Sequence, residues 1–219
     1  MPWPRAEATS VGSLPGTAPL EAARIIAGEL SGFVHVAELP DRGPGADMIG
    51  RTGAMLAGVS GSFALETTPA GWRFTAAPGR QIRQAWSMLN EDLDALEEQS
   101  EDYAGPVKVQ VVGPWTLAAA LEMRTGERAL KDPTAVWDIA QALAEAIDVH
   151  VEDVRRRLPK ASAIVVQVDE PGLPAVLEGR IGTASGLSAY AAVDAQQAER
   201  VLGHVLGGRK SSHVGVHCC

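Results

Sequence analysis

A histidine and a cysteine two positions apart, His217 and Cys219, stand at the end of the stretch Ser-Ser-His-Val-Gly-Val-His-Cys-Cys. The stretch reads as a short buried strand, β-branched and preceded by Gly207-Gly208. Side chains alternate along a strand, so His213, Gly215, His217 and Cys219 share one face, and Val214, Val216 and Cys218 share the other. An imidazole and a thiolate on one face of a strand end can close on a single metal ion, and both suit zinc. The same residues also describe a core strand with an incidental histidine and two buried cysteines. The rest of the chain has to decide between the two.

Other polar residues stand at the ends of apolar stretches. Ser13 follows residues 8–11, Glu38 ends 33–38, and Asp169 follows the nearly continuous apolar run 163–168. Asp169 can also serve as a helix cap or loop acceptor, and Glu170 alternates outward as a structural residue. Gln110 and Gln167 can support a site or satisfy backbone groups. His35 reads as structural or solvent-facing. The acidic run Glu97, Glu98, Glu101, Asp102 is a solvated helix face.

The elements that would position these groups alternate between strand and helix. Strands are expected at 8–11, 33–38, 107–112, 163–168 and 212–219, with a hairpin excursion between 63 and 75. Helices are expected over 19–30 with Thr17 as cap, from Asp47, over 80–101, near 115–122, over 133–158, and over 194–206 with Asp194 and Gln197 in capping-box positions. Trp86 and Trp137 fall on the apolar stripes of their helices. This alternation predicts a parallel α/β architecture, and the polar strand ends favour a (β/α)8 TIM-type barrel, whose active face lies there. A doubly wound sheet is the competitor, but the first strand–helix turn lacks a glycine-rich phosphate cradle. A complete barrel needs eight strands and typically ~250 residues, so residues 1–219 are expected to form one partial barrel domain of about five β/α units, cut from a longer barrel.

Composition sets outer limits. A net charge of −8 argues against nucleic acid and against an anionic membrane surface as partners. Two adjacent cysteines make no disulfide framework, which fits a reducing cytoplasm. No apolar stretch is long enough to span a bilayer.

Taken together, the strand ends resemble the catalytic, C-terminal barrel of the cobalamin-independent methionine synthase family. The matching residues are Val11-Gly12-Ser13, Asp47-Met48, Gly113-Pro114, Asp169-Glu170-Pro171, and His217 with Cys219, in the family's order along the chain. The resemblance implies zinc-dependent methyl transfer to the thiol of homocysteine, with Zn2+ held in part by His217 and Cys219. It implies that Ser13 and the backbone from Val11 hold the amino acid and that Asp169 meets its ammonium. Glu38 is similar to a second such carboxylate, although Val36-Ala37 replaces the family's preceding His-Gly. The chemistry is coherent by itself: an ammonium calls for fixed carboxylates, and a thiol with a pKa near ~8.5 needs a metal to ionise at neutral pH.

The family's other zinc ligands, a Glu and a Cys, and its acid histidine come from strands beyond Cys219. Its folate-gripping residues are replaced: Ala120 stands for a Trp, Ala175 for a Glu, and no Arg-Cys pair occurs at 75–78. The departures imply a donor other than methyl-folate, such as a methyl-corrinoid protein. Two alternatives stand beside this reading: a metal-free relative of the uroporphyrinogen decarboxylase superfamily, and a non-catalytic or truncated paralogue that binds an amino acid.

Overall fold

The computed structural model describes residues 7–211 and 213–218. Cys219, one of the two expected metal ligands, lies outside the described residues. The elements run α1 (Pro19–Glu29), β1 (Val34–His35), α2 (Met48–Val59), β2 (Leu65–Thr68), β3 (Gly71–Phe74), α3 (Arg80–Gln99), β4 (Pro106–Val112), α4 (Pro114–Ala120), β5 (Leu121–Glu122), α5 (Pro133–Arg157), β6 (Ala163–Asp169), α6 (Leu173–Leu177), α7 (Ala195–Leu206) and β7 (His213–His217).

Local chemistry explains most boundaries. Pro19, Pro114 and Pro133 each sit in a first helical turn, where the missing N–H costs nothing. The Asp47 carboxylate caps α2 by accepting from Gly50 N at 2.9 Å, and Asp194 caps α7 through Gln196 N and Gln197 N. The cap expected from Thr17 is not made: Ala18 holds that position, with no side-chain bond.

The main sheet has the order β1-β4-β6-β7, parallel throughout. A parallel bridge from Ser13 to Glu38 extends it one step beyond β1. Spatial order therefore follows chain order, with helices in the crossovers. A doubly wound sheet reverses its order at a switch point, and this one does not. The fold is mixed α/β with a parallel sheet and seven α-helices among the described residues, consistent with part of an α/β barrel. The hairpin β2–β3 stands apart and pairs with β5 in a second sheet.

Alternation along β4 and β6 sorts apolar from polar. Val107, Val109 and Val111 of β4 and Ile164, Val166 and Val168 of β6 are all buried on one face. The register sets Gln110 beside Gln167 and Val112 beside Asp169, so Lys108, Gln110, Gln167 and Asp169 occupy the opposite, inner face. The helices α2 and α5 pack against β4 and β6 respectively.

The structure corrects several expectations. Residues 8–11 form no strand; the segment joins the sheet only at Ser13. The strand ending in His217 is not buried, because β7 is the last strand of the sheet order: Val216 is 42 % exposed and Cys218 is exposed. Trp86 and Trp137 sit on the flanks of their helical stripes and are 44 % and 37 % exposed. Trp137 leans on His204 of α7, with ring centroids 4.8 Å apart. Of the two readings of His35, structural or solvent-facing, full burial excludes only the solvent-facing one. Among the described residues no helix is long and apolar enough to cross a membrane.

A buried ion cluster ties the helices to the sheet. Arg42 Nη2 lies 2.6 Å from each Asp92 carboxylate oxygen, Arg51 donates to the same carboxylate, and Arg51 Nε is 3.9 Å from Glu38 Oε1. Removing one partner of such a group leaves uncompensated buried charge. Asp92→Asn is therefore expected to lower stability by roughly 3–5 kcal/mol. Glu91→Gln, which removes an exposed partner of the same Arg42, should cost less than about 1 kcal/mol. Urea unfolding of both variants measures the contrast, and similar losses would contradict the assignment.

Buried His150 supplies a pH dependence. Burial holds its pKa down to about 4 from 6.5, Arg51 and Arg157 press the same way, and Asp153 opposes them. Between those values the unfolded chain binds a proton that the folded one refuses, so stability falls as pH drops from about 6.5 to about 4. The urea midpoint of His150→Gln should fall less steeply over that window than that of the parent protein. Parallel curves would show that His150 contributes nothing to the slope.

Candidate functional site

The sequence of β4, Pro-Val-Lys-Val-Gln-Val-Val, places a lysine and a glutamine among valines. Lys108 is 3 % exposed, and its Nζ donates to Val11 O at 3.0 Å and to Gln167 Oε1 at 2.9 Å. Burial pulls its pKa down to about 8, against Asp169 and Glu38, which favour the charged form. Sequence reasoning missed this residue. The signal was available: a lysine flanked by valines in a buried strand needs carboxylates near it.

The strand ends gather around that ammonium. The Gln167 side chain donates from Nε2 to Val11 O at 2.9 Å and to Asp169 Oδ1 at 2.7 Å. His217 stands beside Asp169 in the register, and its Nδ1 lies 2.8 Å from the same Oδ1. Glu38 is 8 % exposed. Burial pushes its carboxyl above the ordinary range and Asp169 adds to the push, while Arg51, Lys108 and Gln110 pull it back. His35 lies beside Lys108 in the register; burial, helped by Lys108, holds its pKa down to about 4 and keeps it neutral, its backbone contact to Val36 opposing. A cleft of about 210 Å³ opens along Lys108, Gln167 and His217. A larger one, about 340 Å³, lies on the far side of the helices beside Trp86 and His150, away from the strand ends.

The N-terminal segment reaches the site through its backbone. The Val11 side chain is exposed while its carbonyl takes the two donors from Lys108 and Gln167. Glu38 N donates to Gly12 O at 3.0 Å and Leu14 N to Glu38 O at 2.9 Å, which sets Ser13 at the rim with an exposed side chain. Gly12 has φ +134°, and a Cβ there would lie 2.7 Å from Gln110 Nε2, so a glycine is required on both counts.

Two further motifs prove to be one structural unit. Glu170 is fully buried, and its carboxylate accepts from Trp115 N at 2.9 Å, Thr116 N at 2.8 Å and Thr116 Oγ1 at 2.6 Å. It thereby satisfies the open N–H groups at the start of α4. A Cβ on Gly113 would lie 2.3 Å from Glu170 Oε1, so Gly113-Pro114 has to be glycine-first for Glu170 to fit. Glu170→Ala should lower stability by about 2–3 kcal/mol, the scale of lost bonds to a buried charged acceptor. Denaturant unfolding tests this, and a neutral effect would show that α4 does not depend on the carboxylate.

Of the residues picked out in the sequence, Val11, Glu38, Asp169 and His217 come together around Lys108, and Ser13 joins them through its bridge to Glu38. The ring of His217 is held by Asp169 through Nδ1. One ring nitrogen is thus engaged by a carboxylate. Among the described residues no group of three or more His, Cys, Asp or Glu gathers to hold a metal.

Neither the comparison with curated proteins nor that with solved structures finds a match. A family model described as the catalytic domain of cobalamin-independent synthase matches residues 6–219, which is nearly the whole chain. The chain belongs to the cobalamin-independent synthase catalytic-domain family.

Proposed function

We propose that the chain carries the homocysteine-binding and zinc-binding part of a methionine synthase-type methyltransferase, on the scaffold of a (β/α)8 barrel. The observation that carries the proposal is the contact between Asp169 Oδ1 and His217 Nδ1, made at the ends of adjacent parallel strands. A carboxylate that fixes one imidazole nitrogen presents the other for coordination and makes the ring a better ligand. His217 and Cys219 would hold the ion. Bound zinc supplies thiol ionisation at neutral pH, so that the substrate sulfur is nucleophilic toward a methyl group.

The chain's own residues then position the rest of the amino acid. Asp169 spends Oδ1 on Gln167 and His217, which leaves Oδ2 for the substrate ammonium. Glu38 is the second carboxylate toward that ammonium, held by Arg51 behind it. Ser13, bridged to Glu38, and the backbone from Val11 would receive the amino-acid backbone. On the donor side, Ala120 at the end of α4 offers no stacking platform for a pterin, and Ala175 in α6 offers no carboxylate. A donor other than methyl-folate, a methyl-corrinoid protein among them, follows from that reading.

The test separates metal from substrate. Zinc retained after dialysis should fall in His217→Ala and in Cys219→Ser and stay unchanged in Cys218→Ser. Asp169→Asn keeps an acceptor for His217 and loses the charge for the ammonium. It should keep zinc while weakening homocysteine binding about 10- to 100-fold, the scale of a charge-assisted hydrogen bond worth roughly 1.5–3 kcal/mol. Full zinc content in both ligand variants, or undiminished homocysteine binding by Asp169→Asn, would overturn the proposal. Methionine formation assayed with methyl-folate and with a methylated corrinoid protein in turn decides the donor.

A further inference from the structure

Lys108 is the buried charge that the proposed chemistry leaves unused. Its ammonium has three donors and no acceptor, and two of the donors are committed, one to Val11 O and one to Gln167 Oε1. The same Gln167 amide sends its nitrogen to Val11 O and to Asp169 Oδ1. Both ends of the amide are therefore pinned, the oxygen by a cation and the nitrogen by a carbonyl and a carboxylate. Turning the amide over would set its NH2 against the ammonium and its oxygen against the carboxylate. Only one orientation is compatible with these neighbours, and in that orientation Gln167 donates to Asp169.

We infer that Lys108 is a positioning residue for the amino-acid site: by holding Gln167 in one orientation it fixes the Asp169 carboxylate. This rests on the reading of Asp169 as the partner of the substrate ammonium. Three separate segments meet at this ammonium: the N-terminal segment at Val11, β4 itself, and β6 at Gln167. Glu38 from the loop after β1 also lies within its electrostatic reach. Lys108 and Gln167 line the 210 Å³ cleft together with His217.

The experiment is a double-mutant cycle on the full chain with Lys108→Met, Gln167→Ala and the pair. Homocysteine affinity is measured by calorimetry, and the Gln167 side-chain amide is followed by nitrogen-15 NMR without ligand. Each single variant should weaken homocysteine about tenfold and raise KM more than it lowers kcat. The double variant should be no worse than the weaker single, because Lys108 acts through Gln167. Lys108→Met should also shift the Gln167 amide resonances while the bulk of the backbone spectrum stays in place. Gln167→Glu keeps an acceptor for Lys108 but offers Asp169 no donor, and should bind homocysteine as poorly as Gln167→Ala. It carries the same expectation if Lys108→Met fails to fold. Losses that add to about a hundredfold in the double variant, a Gln167→Glu variant with parental affinity, or unmoved Gln167 resonances would each overturn the inference. A parent protein that binds no homocysteine would sink the substrate assignment instead. The Gln167 resonances, which need no ligand, would then decide the positioning role by themselves.

Discussion

A lysine ammonium in the middle of a buried strand is expensive unless anions and acceptors are held around it, and the arrangement of this chain follows from meeting that demand. Lys108 lies within the influence of Asp169 and Glu38 and donates to a backbone carbonyl and a side-chain amide. These groups come from three parts of the chain: the N-terminal segment, the loop after β1, and β6. The N-terminal segment, which makes only a single bridge to the sheet, is anchored by the Val11 carbonyl. Glu38 is in turn tied through Arg51 to Asp92, so the electrostatic demand of the inner face extends outward to α2 and α3. The polar interior and the helical layer are held by one connected set of charges.

Close approach of backbone to polar side chains is the second recurring device. Gly12 leaves room for Gln110, which reaches across to Val36 O at 2.6 Å. Gly113 leaves room for Glu170, which caps α4 from the end of the neighbouring strand. In both places a glycine at the end of one stretch accepts a polar side chain from the next. The motifs that look separate in the sequence are thus pairwise dependent, and a change at one of them loads its partner.

Much of the fold was legible because β4 and β6 are buried on the outer face by valine and isoleucine, and because Asp47, Asp132 and Asp194 mark helix starts. The N-terminal strand was not, since what holds residues 8–13 is two hydrogen bonds to Glu38 and the carbonyl of Val11, and none of these leaves a pattern in side-chain types. The exposure of β7 escaped for a related reason. A strand of alternating histidine and valine reads the same at the centre of a sheet and at its last position. Within the site, acidic and imidazole side chains at strand ends announced themselves, whereas Lys108 lies inside a strand and was missed, and Gln167, also inside a strand, reads equally as site support or as a partner for backbone groups. Glu170 was read as structural from its alternation, but its grip on α4 depends on a neighbour more than fifty positions earlier in sequence.

The geometry of Asp169 couples two tasks that the proposed chemistry would otherwise keep apart. One carboxylate oxygen is shared by Gln167 Nε2 at 2.7 Å and by His217 Nδ1 at 2.8 Å. In the proposed reading the other oxygen meets the substrate ammonium. Asp169 would then serve the substrate ammonium through Oδ2 and the His217 imidazole through Oδ1, with Gln167 and Lys108 behind it keeping Oδ1 in place. Zinc held by His217 and Cys219 would supply thiol ionisation beside it.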